Sequence, residues 1–112
     1  MTKQVALVEE CGVAYAMSVL GGKWKLAIIW KLLGGTMRFG ELRRALVGVA
    51  EGVLITQLKE LERDGLVVRR ALDRVPPHVE YSVSARIRDL EPALQVLNSW
   101  GDANRPSGQT EG

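Results

Sequence analysis

Apolar positions recur with a helical period in five stretches of the chain and with a strand-like pattern in two. The clearest stretch is 51–66, EGVLITQLKELERDGL. Leu54, Leu58 and Leu61 fall on one stripe at i, i+4 and i+7, the spacing of a helix packed on a core. At about 100° per residue, Gly52, Thr56, Lys59 and Arg63 point the other way. Gly65 can take the left-handed conformation that stops a helix. Upstream, the pattern predicts a short helix over 13–20 (VAYAMSVL), then a second over 23–33 (KWKLAIIWKLL). The second is apolar around most of its girth and belongs at the centre of a small domain. Gly21-Gly22 and Gly34-Gly35 bound it. Residues 36–38 form one brief strand. A third amphipathic helix covers 39–47, with Phe39, Leu42 and Leu46 inward, and Gly48-Val49-Ala50 is a turn of helix-turn-helix length.

Residues 67–72 and 79–83 are β-type runs. The segment between them holds Pro76 and Pro77, which cannot sustain a ladder, so it is the loop of a hairpin. Ser84 opens a last helix, with Ile87, Leu90, Leu94 and Leu97 at spacings of 3, 4 and 3 and Trp100 extending the stripe. The expected fold is mainly α with a small antiparallel β-hairpin (α+β), in the order of a winged helix-turn-helix. Residues 1–10 read as an N-terminal arm, 11–103 as one domain, and 104–112 as a polar, disordered tail.

The composition narrows the function. A chain of 112 residues with 46% hydrophobic content fits one folded domain. No apolar run approaches the roughly 20 residues that cross a bilayer. The single cysteine permits no intrachain disulfide and fits a reducing cytoplasm. The net charge is only +2, but residues 23–88 carry 13 Lys/Arg against 7 Asp/Glu, while the flanks carry 2 against 6. A basic middle between acidic ends suits a nucleic-acid contact made by the middle; the bland alternative is a solvated surface.

On that reading the helix over 51–63 enters the major groove of double-stranded DNA. Thr56 and Gln57 have the chemistry to meet base edges, since Gln pairs with adenine and Thr touches a thymine methyl. Gly52 allows close backbone approach. Lys59 and Arg63 suit phosphates, or serve only as helix support through Glu62 and Glu60. Arg43 and Arg44 precede the turn and either meet the backbone or pair with Glu41 or Glu51. Arg38 stands where a phosphate meets helix amides. Arg74 at the hairpin tip is a candidate for the minor groove, or an exposed loop charge. Lys23 and Lys25 oppose the dipole of the helix they start, a weak hint of a partner anion. His78 has no partner at ligand spacing, so no metal and no cofactor is expected, and it reads as a wing or surface residue. No nucleophile stands with its base, so the chain is not expected to be an enzyme.

Four blocks carry a resemblance: GGKWKLAIIWKLL, RFGELRRAL, LKELERDGLVVR and VPPHVEYSV. In this order and with these gaps the chain resembles the HxlR-type transcriptional regulators, a winged helix-turn-helix branch related to MarR-type repressors. The match runs from Cys11 to about Trp100. The resemblance implies a homodimer on a pseudo-palindromic operator, acting more often as a repressor. It also implies that Cys11 senses an electrophile or oxidant; the residue-level alternative is a small buried hydrophobe. The chain departs from the family pattern at Val49-Ala50-Glu51-Gly52, usually similar to Ile-Ser-x-Lys. It departs again at Cys11-Gly12, usually Cys-Pro, and at Ala85–Arg88, commonly Thr-x-x-Gly.

A dimer is expected on physical grounds too, because one recognition helix covers too few base pairs for useful selectivity. The last helix supplies Leu90, Leu94, Leu97 and Trp100, and the first supplies Tyr15 and Met17. The rival reading is a winged-helix dimerisation or protein-interaction module with weak or no DNA binding.

Overall fold

A computed structural model describes residues 11–106. Among these, helices α1 (Gly12–Leu20) and α2 (Lys25–Leu33) lead to strand β1 (Met37–Arg38) and helix α3 (Phe39–Ala45). Helix α4 (Glu51–Arg63), strands β2 (Val67–Leu72) and β3 (His78–Val83), and helices α5 (Ala85–Arg88) and α6 (Glu91–Asn104) follow. The expected α+β winged helix-turn-helix is present. Its sheet is larger than a hairpin: β1 joins as a third strand, in the order β1-β3-β2, antiparallel throughout.

Helix α2 is central. Ile28, Ile29 and Leu32 are at most 1% exposed, and they share one cluster with Leu42, Leu46, Leu54, Leu58, Leu61, Val67, Val83 and Ile87. The leucine stripe of α4 thus faces the core, as its spacing requires. Both ends of α4 are specified locally. Val49 sits just before the N-cap residue Ala50 and Leu54 at the fourth helical position. Both are buried, the arrangement of a hydrophobic staple. At the other end Gly65 adopts φ +75°. Leu66 N–H donates to Leu61 O at 2.9 Å and Gly65 N–H to Glu62 O at 3.0 Å, the paired bonds of a Schellman motif. The chain turns directly into β2, so the wing is fixed to the end of α4.

The last helix is not continuous from Ser84. It breaks at Asp89-Leu90 into α5 and α6. Pro92 lies in the first turn of α6; it has no N–H to give, and its ring would strike the carbonyl four residues back in an unbroken helix. The break redirects the stripe. Leu94 is buried in the protomer's own core and Leu90 is partly buried, whereas Leu97 and Trp100 are exposed. Helix α6 also runs to Asn104, one residue into the expected tail. The expected arm over 1–10 and the rest of the tail, 107–112, lie outside the described residues. No helix among the described residues is long and apolar enough to cross a membrane.

Candidate nucleic-acid interface

The turn between α3 and α4 begins where α3 ends at Ala45, and Gly48 supplies a positive φ of 89°. Leu46 and Val49 point inward from it and are buried. Anchored at both ends, α4 presents Gly52, Thr56, Lys59 and Arg63 to solvent, all exposed. Gln57 differs. It stands five residues past Gly52, about 140° round the helix, and is only partly exposed. It lies on the flank that meets the core, so Thr56 is the better placed of the two polar base-edge candidates.

Two apolar residues the sequence reading did not single out are exposed on the same helix: Val53 at 41% and Ile55 at 38%. The signal was present, because neither belongs to the i, i+4, i+7 stripe.

The cations are not equally free. Arg43 Nη1 donates to Glu51 Oε1 at 3.1 Å, with both side chains largely exposed. Arg63 Nε and Nη2 reach Asp64 Oδ1 and Oδ2 at 3.1 and 3.3 Å. That contact raises the Arg63 pKa further and lowers that of Asp64. The expected Glu60–Arg63 pairing gives way to a different one: Glu60 Oε1 accepts from Lys25 Nζ at 2.7 Å. Lys25 is 8% exposed. The Lys25 hydrogen bond and charge hold the Glu60 carboxyl below its ordinary value. The anion hinted at for Lys25 is therefore internal, while Lys23 Nζ sits 5.1 Å from the Trp24 ring centroid. Among the described residues, Arg44 and Lys59 appear in no ion pair.

Around α4 the supporting residues fall into place. Arg38 is exposed on β1, and its backbone N–H donates to Glu41 Oε1 at 2.8 Å, tying the start of α3. Arg74 is exposed in the loop of the wing. Strand β2 adds Arg69 and Arg70, both exposed; sequence reasoning passed over them, although two adjacent arginines on a short strand were visible. Arg70 and Arg38 flank Glu80 of β3 in register. Arg86 Nη1 donates to Asp64 O at 2.8 Å, capping the C-terminus of α4 from α5. His78 is not a surface residue: its side chain is 11% exposed, and Nε2 lies 3.9 Å from Glu80 Oε2 without a hydrogen bond. No cluster of three metal-ligating side chains occurs among the described residues.

Cys11 is exposed and occupies the N-cap position of α1, with no side-chain capping bond. Within one protomer Cys11 is therefore not buried. Tyr15 and Met17 on α1 and Val96, Leu97 and Trp100 on α6 are exposed apolar side chains. An apolar cleft of about 270 Å³ separates α1 from α5, lined by Tyr15, Val19, Leu20, Leu66, Ile87 and Leu90 among others.

A solvent-facing helix set by a short turn against its predecessor, with a basic β-wing hinged to its end, defines a winged helix-turn-helix DNA-binding regulator of transcription. The chain belongs to the HxlR-like helix-turn-helix family, whose model matches residues 19–109. It is 41% identical over 97 residues to the HTH-type transcriptional regulator YybR of Bacillus subtilis, spanning 87% of this chain and 78% of YybR. Among solved structures it is similar to the redox regulator HypR in its oxidized form, with TM-score 0.81 and 41% identity over 86% of this chain and 99% of that one. It is also similar to the reduced form of the transcriptional regulator YodB from Bacillus subtilis, with TM-score 0.73 and 30% identity over 84% and 93% of the two chains. The family is one of transcriptional regulators rather than enzymes.

Proposed function

We propose that the chain is a homodimeric, sequence-specific repressor that places α4 in the major groove of a pseudo-palindromic operator, with the wing on the flanking minor groove. The observation that carries this reading is the solvent-facing surface of α4, where Gly52, Thr56, Lys59 and Arg63 stand exposed beside Arg43 and Arg44. Lys59, Arg44, Arg43 and Arg63 neutralise phosphates; Arg38 and Arg74 reach the backbone and minor groove at either side. Thr56, with Gln57 at the flank, meets base edges. Tyr15, Met17, Leu97 and Trp100 pair the two protomers. The test is binding to duplex DNA across a salt series. Lys59→Ala weakens binding to all sequences and flattens the salt slope by about one unit. Binding that ignores both salt and Lys59 overturns the reading.

Cys11 is the input. Its exposed thiol at the head of α1 supports this role, as does similarity to the redox regulator HypR. Oxidation joins two Cys11 thiols as two electrons and two protons pass to the oxidant; an electrophile instead adds at Sγ. Either change moves α1 and with it the spacing of the two recognition helices. Diamide or a quinone therefore changes operator affinity in the wild type and not in Cys11→Ser. Unchanged affinity with Cys11 shown to be modified rejects it.

A second reading has an observation behind it. Arg43 and Arg63 are both engaged by acids of their own protomer, which favours a dimerisation or protein-interaction module with weak DNA binding. Duplex affinity that is weak at low salt would select it.

A further inference from the structure

The wing holds the chain's single histidine and leaves it unsatisfied. The His78 side chain is 11% exposed, and its buried Nε2 has no hydrogen-bond partner. Glu80 Oε2 lies 3.9 Å away, beyond hydrogen-bonding range. A buried polar atom without a partner calls for an explanation. Here a partner is at hand, but one protonation state of the ring draws it in far more strongly. A neutral imidazole offers Glu80 at most a neutral donor, whereas imidazolium donates a charge-assisted bond about twice as strong. Side chains two apart on a strand share a face, so His78 and Glu80 stand on one side of β3. Register puts Leu72 beside His78, and Arg38 of β1 and Arg70 of β2 on either side of Glu80. Both arginines are exposed, and neither appears in an ion pair among the described residues. The other charges near this end of the sheet, Asp73 and Arg74, are exposed in the loop. The face is thus a row of cation, acid and cation, with a titratable ring beside the acid.

We propose that His78 and Glu80 are positioning residues for a phosphate grip made by Arg38 and Arg70, and that the grip closes on DNA with uptake of a proton at His78 Nε2. The inference rests on α4 and the wing meeting DNA, and it adds to that contact a residue pair and its pH control. Arg38 and Arg70 sit one strand to either side of Glu80, about 10 Å apart across the sheet, and project from the same face. While the ring is neutral, the Glu80 carboxylate carries a negative charge between the two arginine positions. There it opposes an incoming phosphate and competes with it for the guanidinium groups. A proton on Nε2 turns the carboxylate to the ring and adds a positive charge to the face, so both arginines are left to the phosphate. Linkage runs both ways: a phosphate seated between the arginines favours the protonated ring. Affinity is therefore highest where histidine is protonated and falls as pH rises across about 5 to 8.

The experiment uses the full chain and a duplex that it selects from a randomised pool, titrated at constant ionic strength from about pH 5.5 to about pH 8. Wild-type affinity falls about tenfold over that range, the size of a modest hydrogen bond to a charged group. His78→Gln, neutral at every pH, binds as the wild type does at the alkaline end and loses the slope. Glu80→Gln removes the competing acid, so it binds at least as tightly as the protonated wild type and loses most of the slope. A pair that only braced the sheet would weaken binding in both variants, whereas here they move in opposite directions at about pH 6.5. Arg70→Ala flattens the salt slope by about one unit. Cys11 and the α-amino group titrate toward the alkaline end, and comparison with His78→Gln subtracts them. Calorimetric titration in two buffers of different ionisation enthalpy measures proton uptake on the unaltered chain and needs no variant to fold. Zero uptake at about pH 6.5 overturns the proposal, as does a wild-type slope retained by His78→Gln or weaker binding by folded Glu80→Gln. Absence of duplex binding at every pH at low salt is a separate result and overturns the DNA-reading role of α4 and the wing as well.

Discussion

Lys25 Nζ stands 2.7 Å from Glu60 Oε1, joining the first turn of the central helix α2 to the last turn of α4. The Lys25 side chain is 10% exposed and that of Glu60 34%. An ammonium so enclosed is costly unless paired, and removing one partner leaves the other uncompensated, whereas replacing both with apolar groups is often tolerated. Glu60→Gln and Lys25→Met should therefore each lower the melting temperature, and the Lys25→Met/Glu60→Leu double variant should recover most of the loss. The pair also gives a pH signature. Lys25 holds the Glu60 carboxyl below its ordinary 4.5, and Arg63 does the same to Asp64. A carboxylate depressed by folding contributes stability that is full above its unfolded value and is lost as pH falls through the folded one. The unfolding midpoint should drop on acidification below about pH 4.5, and Glu60→Gln should flatten that drop. An unchanged slope in Glu60→Gln would reject the assignment.

If α4 reads DNA as proposed, the Arg43–Glu51 bond bears on that contact more than on stability. Both side chains are about half exposed or more, where ion pairs contribute little to folding. Glu51 stands in the first turn of α4, so it opposes an approaching phosphate and occupies the guanidinium that would meet it. Glu51→Ala should leave the melting temperature nearly unchanged, tighten duplex binding at low salt, and steepen the salt slope by about one unit as Arg43 is released. Electrophoretic or fluorescence titrations across salt concentrations decide the point; weaker binding by Glu51→Ala would mean that the acid helps the contact.

Lys59 and Arg63 share a face of α4 but not a condition. Arg63 is fastened to Asp64 through two hydrogen bonds, whereas Lys59 has no ion-pair partner among the described residues. Lys59→Ala should cost more affinity than Arg63→Ala, and Asp64→Ala should tighten binding by freeing Arg63. Measured at one low salt concentration, equal losses from Lys59→Ala and Arg63→Ala would show that the Asp64 contact yields readily to phosphate.

Much of this arrangement was legible in the chain because periodicity and glycine placement are local signals. The stripe Leu54, Leu58, Leu61 and the stop at Gly65 define α4 without any tertiary information, and β1 was foreseeable as a short extended segment. What escaped is what depends on chain segments far apart. The Lys25–Glu60 pair spans 35 positions of sequence, so neither residue announces the other. Gln57 is only partly exposed, because the width of the buried face of α4 decides its exposure, and spacing alone does not give that width. The break before α6 was a missed local signal. Pro92 marks it, and reading the apolar stripe through the proline sent Leu94 outward when it packs inward.

Three residues of α6 share a stripe in sequence but not an environment. Leu94 is 6% exposed and belongs to the protomer core, while Trp100 is 65% exposed and Leu97 50%. Truncating Leu94 opens a cavity in the folded unit, so Leu94→Ala should lower stability by about 2–5 kcal/mol in urea unfolding. Trp100→Ala and Leu97→Asp remove or charge an exposed apolar surface. Were this the dimer face, they should shift sedimentation velocity toward monomer at micromolar protein while far-UV circular dichroism stays unchanged. Because two coupled recognition helices bind more tightly than one, operator affinity should fall with dimerisation in those two variants and with folding in Leu94→Ala. A Trp100→Ala/Leu97→Asp variant that sediments and binds like the wild type would move the interface elsewhere, with the exposed Tyr15 and Met17 on α1 the next surface to charge.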